Sequence, residues 1–303
     1  MLLVPLTLLF SSCDVKSEMT KSTISHLVFG GDVMFSRFVG RQMKIDNDYG
    51  SYLENVAELF KNADMAFVNL ESPLHEVPLF QKDGAMFRAD AKSLQSLTNA
   101  GIDVVSLANN HFGDGSRTGM KYTMEKVQES GLKYVGAGKD LGDAFEPYYF
   151  TSHGTRFALF AFCDVTPSYA AEENKVGYAP LPDKYVLEND LFPEAKQHAD
   201  VIIVSLHTGE EFVPHPSEKK KDKFHMLTDA GASLVVGHHP HVIQDVEEYN
   251  GGLIYYSLGN LVFDQAEENT KKGMVAEVEF DGGKISSHTE HIVNIDDHFK
   301  PKL

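Results

Sequence analysis

Short apolar runs alternate with amphipathic stretches along the first half of the chain, and each run stops at a polar cluster. Residues 26–31 read as a strand that ends in Gly30-Gly31-Asp32. Helical spacing follows over 37–45 and 52–62, where Val56, Leu59 and Phe60 share a face. A second run, 64–70, stops at Glu71-Ser72-Pro73, and a helix over 90–100 is closed by Gly101. A third run, 103–108, stops at Asn109-Asn110-His111, and a helix over 115–130 precedes Gly131 and a fourth run at 132–135. This rhythm of strand, motif and helix predicts a parallel sheet with crossover helices.

The second half changes character. Residues 147–150 and 155–163 read as strands, and 201–206 and 233–237 as two more. The last two deliver His207-Thr208-Gly209-Glu210 and Gly237-His238-His239-Pro240-His241. A helix is expected over 217–229, before Gly231. Between these elements, residues 164–200 are polar and carry Pro167, Pro180, Pro182 and Pro193, which predicts a long loop around a pocket. Asn250-Gly251 marks a hairpin between 242–248 and 252–258, and 272–280 pairs with 284–293 around Asp281-Gly282-Gly283. No linker or repeat interrupts residues 26–297, so one domain is expected there.

Charge narrows the function. Of 303 residues, 27 are Lys or Arg and 44 are Asp or Glu, a net charge of −17. With no basic stripe, a nucleic-acid backbone is excluded as the main partner. An anionic substrate would need local positive charge, which bound cations can supply. The one dense basic run, Lys219-Lys220-Lys221-Asp222-Lys223, reads as the solvated face of a helix. Cys13 follows an apolar stretch at 2–10 and Ser11-Ser12, and this resembles a bacterial lipoprotein signal whose Cys becomes lipid-acylated. The resemblance is incomplete, because no Lys or Arg precedes the apolar stretch and Phe10 stands where an aliphatic residue is usual. On this reading residues 1–25 are signal and tether, and the protein is an extracytoplasmic, membrane-anchored lipoprotein. The other cysteine, Cys163, reads as a small buried hydrophobe.

The strand-end motifs carry oxygen and imidazole donors and no thiolate, a mixture suited to Mn, Zn or Fe rather than Ca or Mg. Asp32, Glu71, Asn110, His207, His239 and His241 are the candidate ligands of two divalent cations. Glu71 is the candidate bridge, since two nearby cations repel and need a shared anion between them. His111 is the candidate general acid, with Asp114 to orient it. Arg88, His238 and Asn260 are candidates for substrate binding, Arg88 through an anionic group. Each residue alone has an ordinary reading as a cap, turn or structural histidine. Their coincidence at successive strand ends points to one metal-dependent hydrolase site.

In order, the chain carries Gly-Asp-Val-Met at 31–34, Ala-Asp-Met-Ala-Phe-Val-Asn-Leu-Glu-Ser-Pro-Leu at 63–74 and Ser-Leu-Ala-Asn-Asn-His at 106–111. His-Thr-Gly-Glu-Glu-Phe at 207–212, Gly-His-His-Pro-His-Val at 237–242 and Ser-Leu-Gly-Asn at 257–260 follow. This series resembles the CapA family, associated with bacterial capsule and poly-γ-glutamate synthesis, a branch of the calcineurin-like metallophosphoesterases. The resemblance implies an α/β fold arranged as a four-layer α/β/β/α sandwich. It implies metal positions at Asp32, Glu71, Asn110, His207, His239 and His241, and a general acid at His111. Met34 stands where the superfamily has a His, Glu71 where it has an Asp, and Thr208 where the branch often has Trp. The expected function is capsule or exopolymer biosynthesis, with metal-activated water attacking a phosphoester or γ-glutamyl-type bond. The expected partners are an anionic polymer or phosphorylated substrate and capsule-synthesis membrane proteins. A non-catalytic partner of a polymer-synthesis or export complex is the alternative.

Overall fold

The strand–motif–helix repeats build one half of a double sheet. A computed structural model describes residues 23–80 and 86–303. Cys13 and the rest of the expected signal lie outside the described residues up to position 22. In the first sheet the strands Ile24–Val33, Met65–Leu70, Val104–Ser106 and Lys133–Val135 run parallel in that order. Lys272–Asp281 and Lys284–Ile295 extend the other side of Ile24–Val33 as an antiparallel pair. The second sheet holds Gly252–Tyr255, Leu234–His238, Val201–His207 and Thr155–Cys163 in parallel, with antiparallel strands at both edges.

Alternation along the second sheet explains its long apolar runs. Phe157, Leu159, Ala161, Val201, Ile203, Leu234 and Val236 face the core shared with the first sheet. Their neighbours Ala158, Phe160, Phe162, Ile202, Val204 and Val235 face a second core under Phe192, Ala195, Phe224 and Leu227 of the outer helices. A strand buried on both faces cannot show polar alternation, so its sequence is continuously apolar. Helices Arg37–Asp46, Leu94–Ala100 and Ser116–Glu129 cover the outside of the first sheet through Val39, Met43, Leu97, Met120 and Val127. The layers are helix, sheet, sheet, helix, as the family resemblance implies.

Several elements differ from the sequence expectation. The first strand runs past its glycines to Val33, because Gly31 lies against the neighbouring backbone: a Cβ there would be 2.1 Å from the Gly259 carbonyl oxygen. The Asp32 N–H then donates to that oxygen at 2.9 Å, which anchors the motif. The expected helix over 52–62 is a 3₁₀ turn, Glu54–Val56, followed by the short α-helix Ala57–Lys61. The largest correction is at 164–200. Asp183 caps a helix that runs from Lys184 through Leu187–Leu191 to His198. Pro193 does not break it, because the preceding turn is a π turn in which the Phe192 N–H donates to the Leu187 carbonyl. That wider turn accommodates the missing donor and the ring.

Candidate metal centre

The strand-end motifs come to the facing carboxyl ends of the two sheets. Asp32 pairs in register with Asn69 on the neighbouring strand, and Glu71 follows two residues later on the same side. His207 pairs with His238 across the second sheet. The turn after His238 brings His239 and His241 inward with backbone φ of 97° and 60°. Such left-handed backbone at a non-glycine costs about 1–3 kcal/mol and persists where surrounding bonds hold it. Here the His239 N–H donates to Asp32 Oδ2 at 3.3 Å. The His241 Nδ1–H donates to Asn260 Oδ1 at 3.0 Å, while the Asn260 amide is spent on Gln265 and the Thr270 carbonyl. That fixes the tautomer of His241 and leaves its Nε2 lone pair 3.6 Å from Glu71 Oε1.

Asp32 is fully buried and fully bonded. Its Oδ1 accepts the Asn69 amide at 2.8 Å and the His238 Nδ1–H at 3.0 Å. Burial alone would raise its pKa, but the hydrogen bonds and charges of His238 and His241 outweigh it and hold the carboxyl well below its ordinary value. Glu71 is equally buried, and neither of its oxygens has a hydrogen-bond partner. Burial first, then the nearby Asp32 and Glu211 carboxylates, push Glu71 well above the ordinary range. Burial and the other imidazoles drive His207 well below its ordinary pKa and His239 to about 3, so both rings are neutral lone-pair donors.

Among the described residues, three triads offer ligand atoms within 4.8 Å of one another: Glu71–His207–His239, Asp32–Glu71–His241 and Glu211–His239–His241. Among the described residues, the buried side-chain atoms without a hydrogen-bond partner are Glu71 Oε1 and Oε2, His239 Nδ1, His238 Nε2 and Asn109 Oδ1 of these motifs, with Ser152 Oγ and His291 Nε2 elsewhere. The Glu71 oxygens and Nδ1 of the neutral His239 ring offer lone pairs there. Buried polar atoms are nearly always bonded, so such a cluster fits a divalent cation. Asn110 meets this group through His207, whose Nε2 is 2.7 Å from its Oδ1. His111 stands at the mouth, Nε2 3.9 Å from Glu71 Oε1, its ring stacked on Phe87 at 3.8 Å. Asp114 Oδ2 accepts from His111 Nδ1 at 2.8 Å. Arg88 turns its guanidinium to the Asp114 carbonyl at 3.2 Å, on the His111 side. His238 lies behind Asp32, 1% exposed.

Three participants escaped the sequence reading. Asn69 donates to Asp32 and also lies 3.3 Å from His207 Nδ1, so it ties the two sheets together. Asn109 donates to Asn69 Oδ1 at 3.2 Å and to the Leu70 carbonyl at 2.9 Å. Both sit inside motifs already singled out, and Asn69 shares the i, i+2 face of Glu71. Glu211 had a weaker signal, the second of two acids after a strand end. Lys220 overturns the solvated-face expectation, because it is 3% exposed. Its ammonium donates to Gln244 Oε1 at 2.8 Å, and burial lowers its pKa to about 7.

The chain is similar to known proteins of one family. Residues 26–265 match the family described as bacterial capsule synthesis protein PGA_cap. The PGA biosynthesis protein CapA of Bacillus subtilis is 34% identical over 80% of this chain and 64% of its own length. The capsule biosynthesis protein CapA of Bacillus anthracis is 35% identical over 80% of this chain and 60% of its own. The chain thus spans about three-fifths of these relatives. The NAD nucleotidase of Haemophilus influenzae superposes with a TM-score of 0.53 at 12% identity, over 92% of this chain and 53% of that one. That likeness is one of fold. With a family match across most of its length and CapA relatives at 34–35% identity, the chain belongs to the bacterial capsule synthesis family of CapA proteins.

Proposed function

We propose that this protein is a metal-dependent hydrolase of capsule or exopolymer metabolism, acting on a phosphoester or a γ-glutamyl-type bond of an anionic substrate. The observation that carries the reading is the pair of orphaned Glu71 oxygens facing neutral imidazoles. Asp32, Glu71, Asn110, His207, His239 and His241 would hold two divalent cations, Mn, Zn or Fe, with Glu71 common to two triads. Cations bound there would polarise the scissile group and lower the pKa of water. His111 supplies the proton. Asp114, a carboxylate that only accepts, keeps a proton on His111 Nδ1 and turns Nε2 toward the centre. Protonated at both nitrogens, His111 can give its Nε2 proton to a departing oxygen. A cavity of about 230 Å³ beside Thr208 is lined by Lys219, Lys220 and Lys223 together with Asp164 and Glu210, and Lys223 is paired with Asp164. We place this action at the cell envelope, with a lipid anchor at Cys13 and capsule-synthesis membrane proteins as neighbours.

The test uses metal-stripped protein reloaded with Mn²⁺ or Zn²⁺, assayed on a generic phosphodiester and on a γ-glutamyl chain. His111→Ala should cut turnover by about 10²–10⁴-fold while metal content stays unchanged. A protein that takes up neither metal refutes the hydrolase reading. If cells carrying His111→Ala make undiminished capsule from a folded protein, the non-catalytic partner reading prevails.

A further inference from the structure

Among the triads that offer ligand atoms to the centre, one includes an exposed acid, Glu211. Met34 follows Asp32 by two residues, but it is fully buried and its sulfur accepts the Ser36 N–H at 3.0 Å. The first strand therefore gives the centre a carboxylate and no imidazole. Glu211 has a carboxylate oxygen within 4.8 Å of ligand atoms of both His239 and His241. Its charge already bears on Glu71.

The loop that carries Glu211 is fastened at the two residues that follow it. The Phe212 N–H donates to the Pro240 carbonyl at 2.8 Å, which joins the loop to the turn between the two histidines. Phe212 takes a backbone φ of 64° there. Gln244 Nε2 donates to the Val213 carbonyl at 2.7 Å, and its Oε1 accepts the buried Lys220 ammonium at 2.8 Å. A chain of bonds thus runs from the helix Glu218–Ala230 through Gln244 to the loop. An exposed glutamate otherwise samples many rotamers, and a fixed backbone lowers the cost of bringing it to a ligand position.

We propose that Glu211 is a metal ligand on the solvent side of the centre, closing the His239–His241 pair with an anionic oxygen. The proposal rests on the metal-centre reading above. A carboxylate ligand favours harder cations, so Glu211 biases the centre toward Mn²⁺ over Zn²⁺.

The experiment titrates Mn²⁺ and Zn²⁺ calorimetrically into metal-stripped full chain, wild type and Glu211→Gln, with bound Mn²⁺ also read by electron paramagnetic resonance. Glu211 is exposed, so its neutral isostere should leave the circular dichroism of the metal-free protein unchanged and, by relieving the repulsion on Glu71, should not lower its melting temperature. Glu211→Gln should weaken one Mn²⁺ event by about tenfold or more, weaken Zn²⁺ less, and change the Mn²⁺ spectrum. Glu211→Asp should recover part of the loss. Identical Mn²⁺ isotherms and spectra for wild type and Glu211→Gln overturn the ligand role alone. A wild type that takes up neither cation overturns the metal centre itself, and this inference with it.

Discussion

Asp32 and Glu71 end neighbouring parallel strands, both 0% exposed, yet their surroundings are opposite in kind. Around Asp32 a side-chain amide, an imidazole N–H and a backbone N–H converge, and the carboxylate is held charged. Around Glu71 nothing donates, and the Asp32, Glu211 and Asp114 carboxylates repel it. One region is a finished hydrogen-bond network that fixes geometry. The other is left unfinished at a cost in stability, which a bound cation would remove. Buried unpaired acids are rare because the desolvation penalty is uncompensated. Retaining one at the meeting point of two donor triads is what a binding site requires and what a core does not.

Glu71→Gln should separate the two regions most sharply. It removes the repelled charge and keeps the shape, so the metal-free melting temperature should rise by a few degrees on a thermal scan. Mn²⁺ and Zn²⁺ affinity should fall by more than about a hundredfold, beyond the loss typical of a residue that only supports a ligand. If the metal-free protein melts lower, the carboxyl is needed by the fold and the contrast with Asp32 disappears.

Asn69→Ala tests the finished side. Its amide reaches Asp32 and lies 3.3 Å from His207, one residue on each sheet. Losing it should weaken divalent-cation binding by about 10–100-fold through misplaced ligands, with every ligand still present. Calorimetry at several temperatures would show the added ordering on binding. An isotherm equal to wild type would mean that the other bonds to Asp32 suffice.

Acidity gives the two carboxyls opposite signatures in the metal-free protein. The Asp32 pKa is depressed, so its stabilisation is present above about pH 4, its unfolded value, and is lost as pH falls through the lower folded value. The Glu71 pKa is raised, so stability is greatest below its unfolded value of about 4.3 and declines as pH rises toward the folded one. Asp32→Asn should flatten the acid limb of melting temperature against pH, and Glu71→Gln the limb above it. If both variants flatten the same limb, the two environments are not opposite.

The sequence disclosed most of this arrangement because the fold puts side chains of one kind at one edge. Apolar runs ending at Asp32, Glu71, His207 and His238 identify the strands, and parallel strands align their carboxyl ends. What escaped it depends on long-range packing. Nothing local says that Lys220, inside a basic run, lies under the loop at Gly209 and finds Gln244. Nor does periodicity tell Asn69 from an ordinary strand asparagine, because its value lies in reaching His207 on the other sheet. The helix over 184–198 was hidden by Pro193, which normally ends a helix and here follows a π turn. Glu211 sits on a loop, where no periodicity operates.

Lys220 is a second unfavourable buried charge, this time outside the ligand set, and it gives the smallest expected effect. Burial lowers its folded pKa to about 7, against about 10.4 unfolded. Between those values the unfolded chain binds the extra proton, so stability rises as pH climbs from about 7 toward 10. Below pH 7 both states are protonated and the penalty is at its full value. Lys220→Met keeps the aliphatic stem and removes the titration, so this rising slope should flatten in urea melts at stepped pH. The substitution also leaves Gln244 Oε1 without its donor, which loosens the loop at Val213 and offsets part of the gain. The slope, rather than the absolute stability at any one pH, is therefore the quantity that decides. An unchanged slope would mean that the lysine keeps its proton in the folded state, and that its bond to Gln244 compensates for burial as fully as the bonds to Asp32 do.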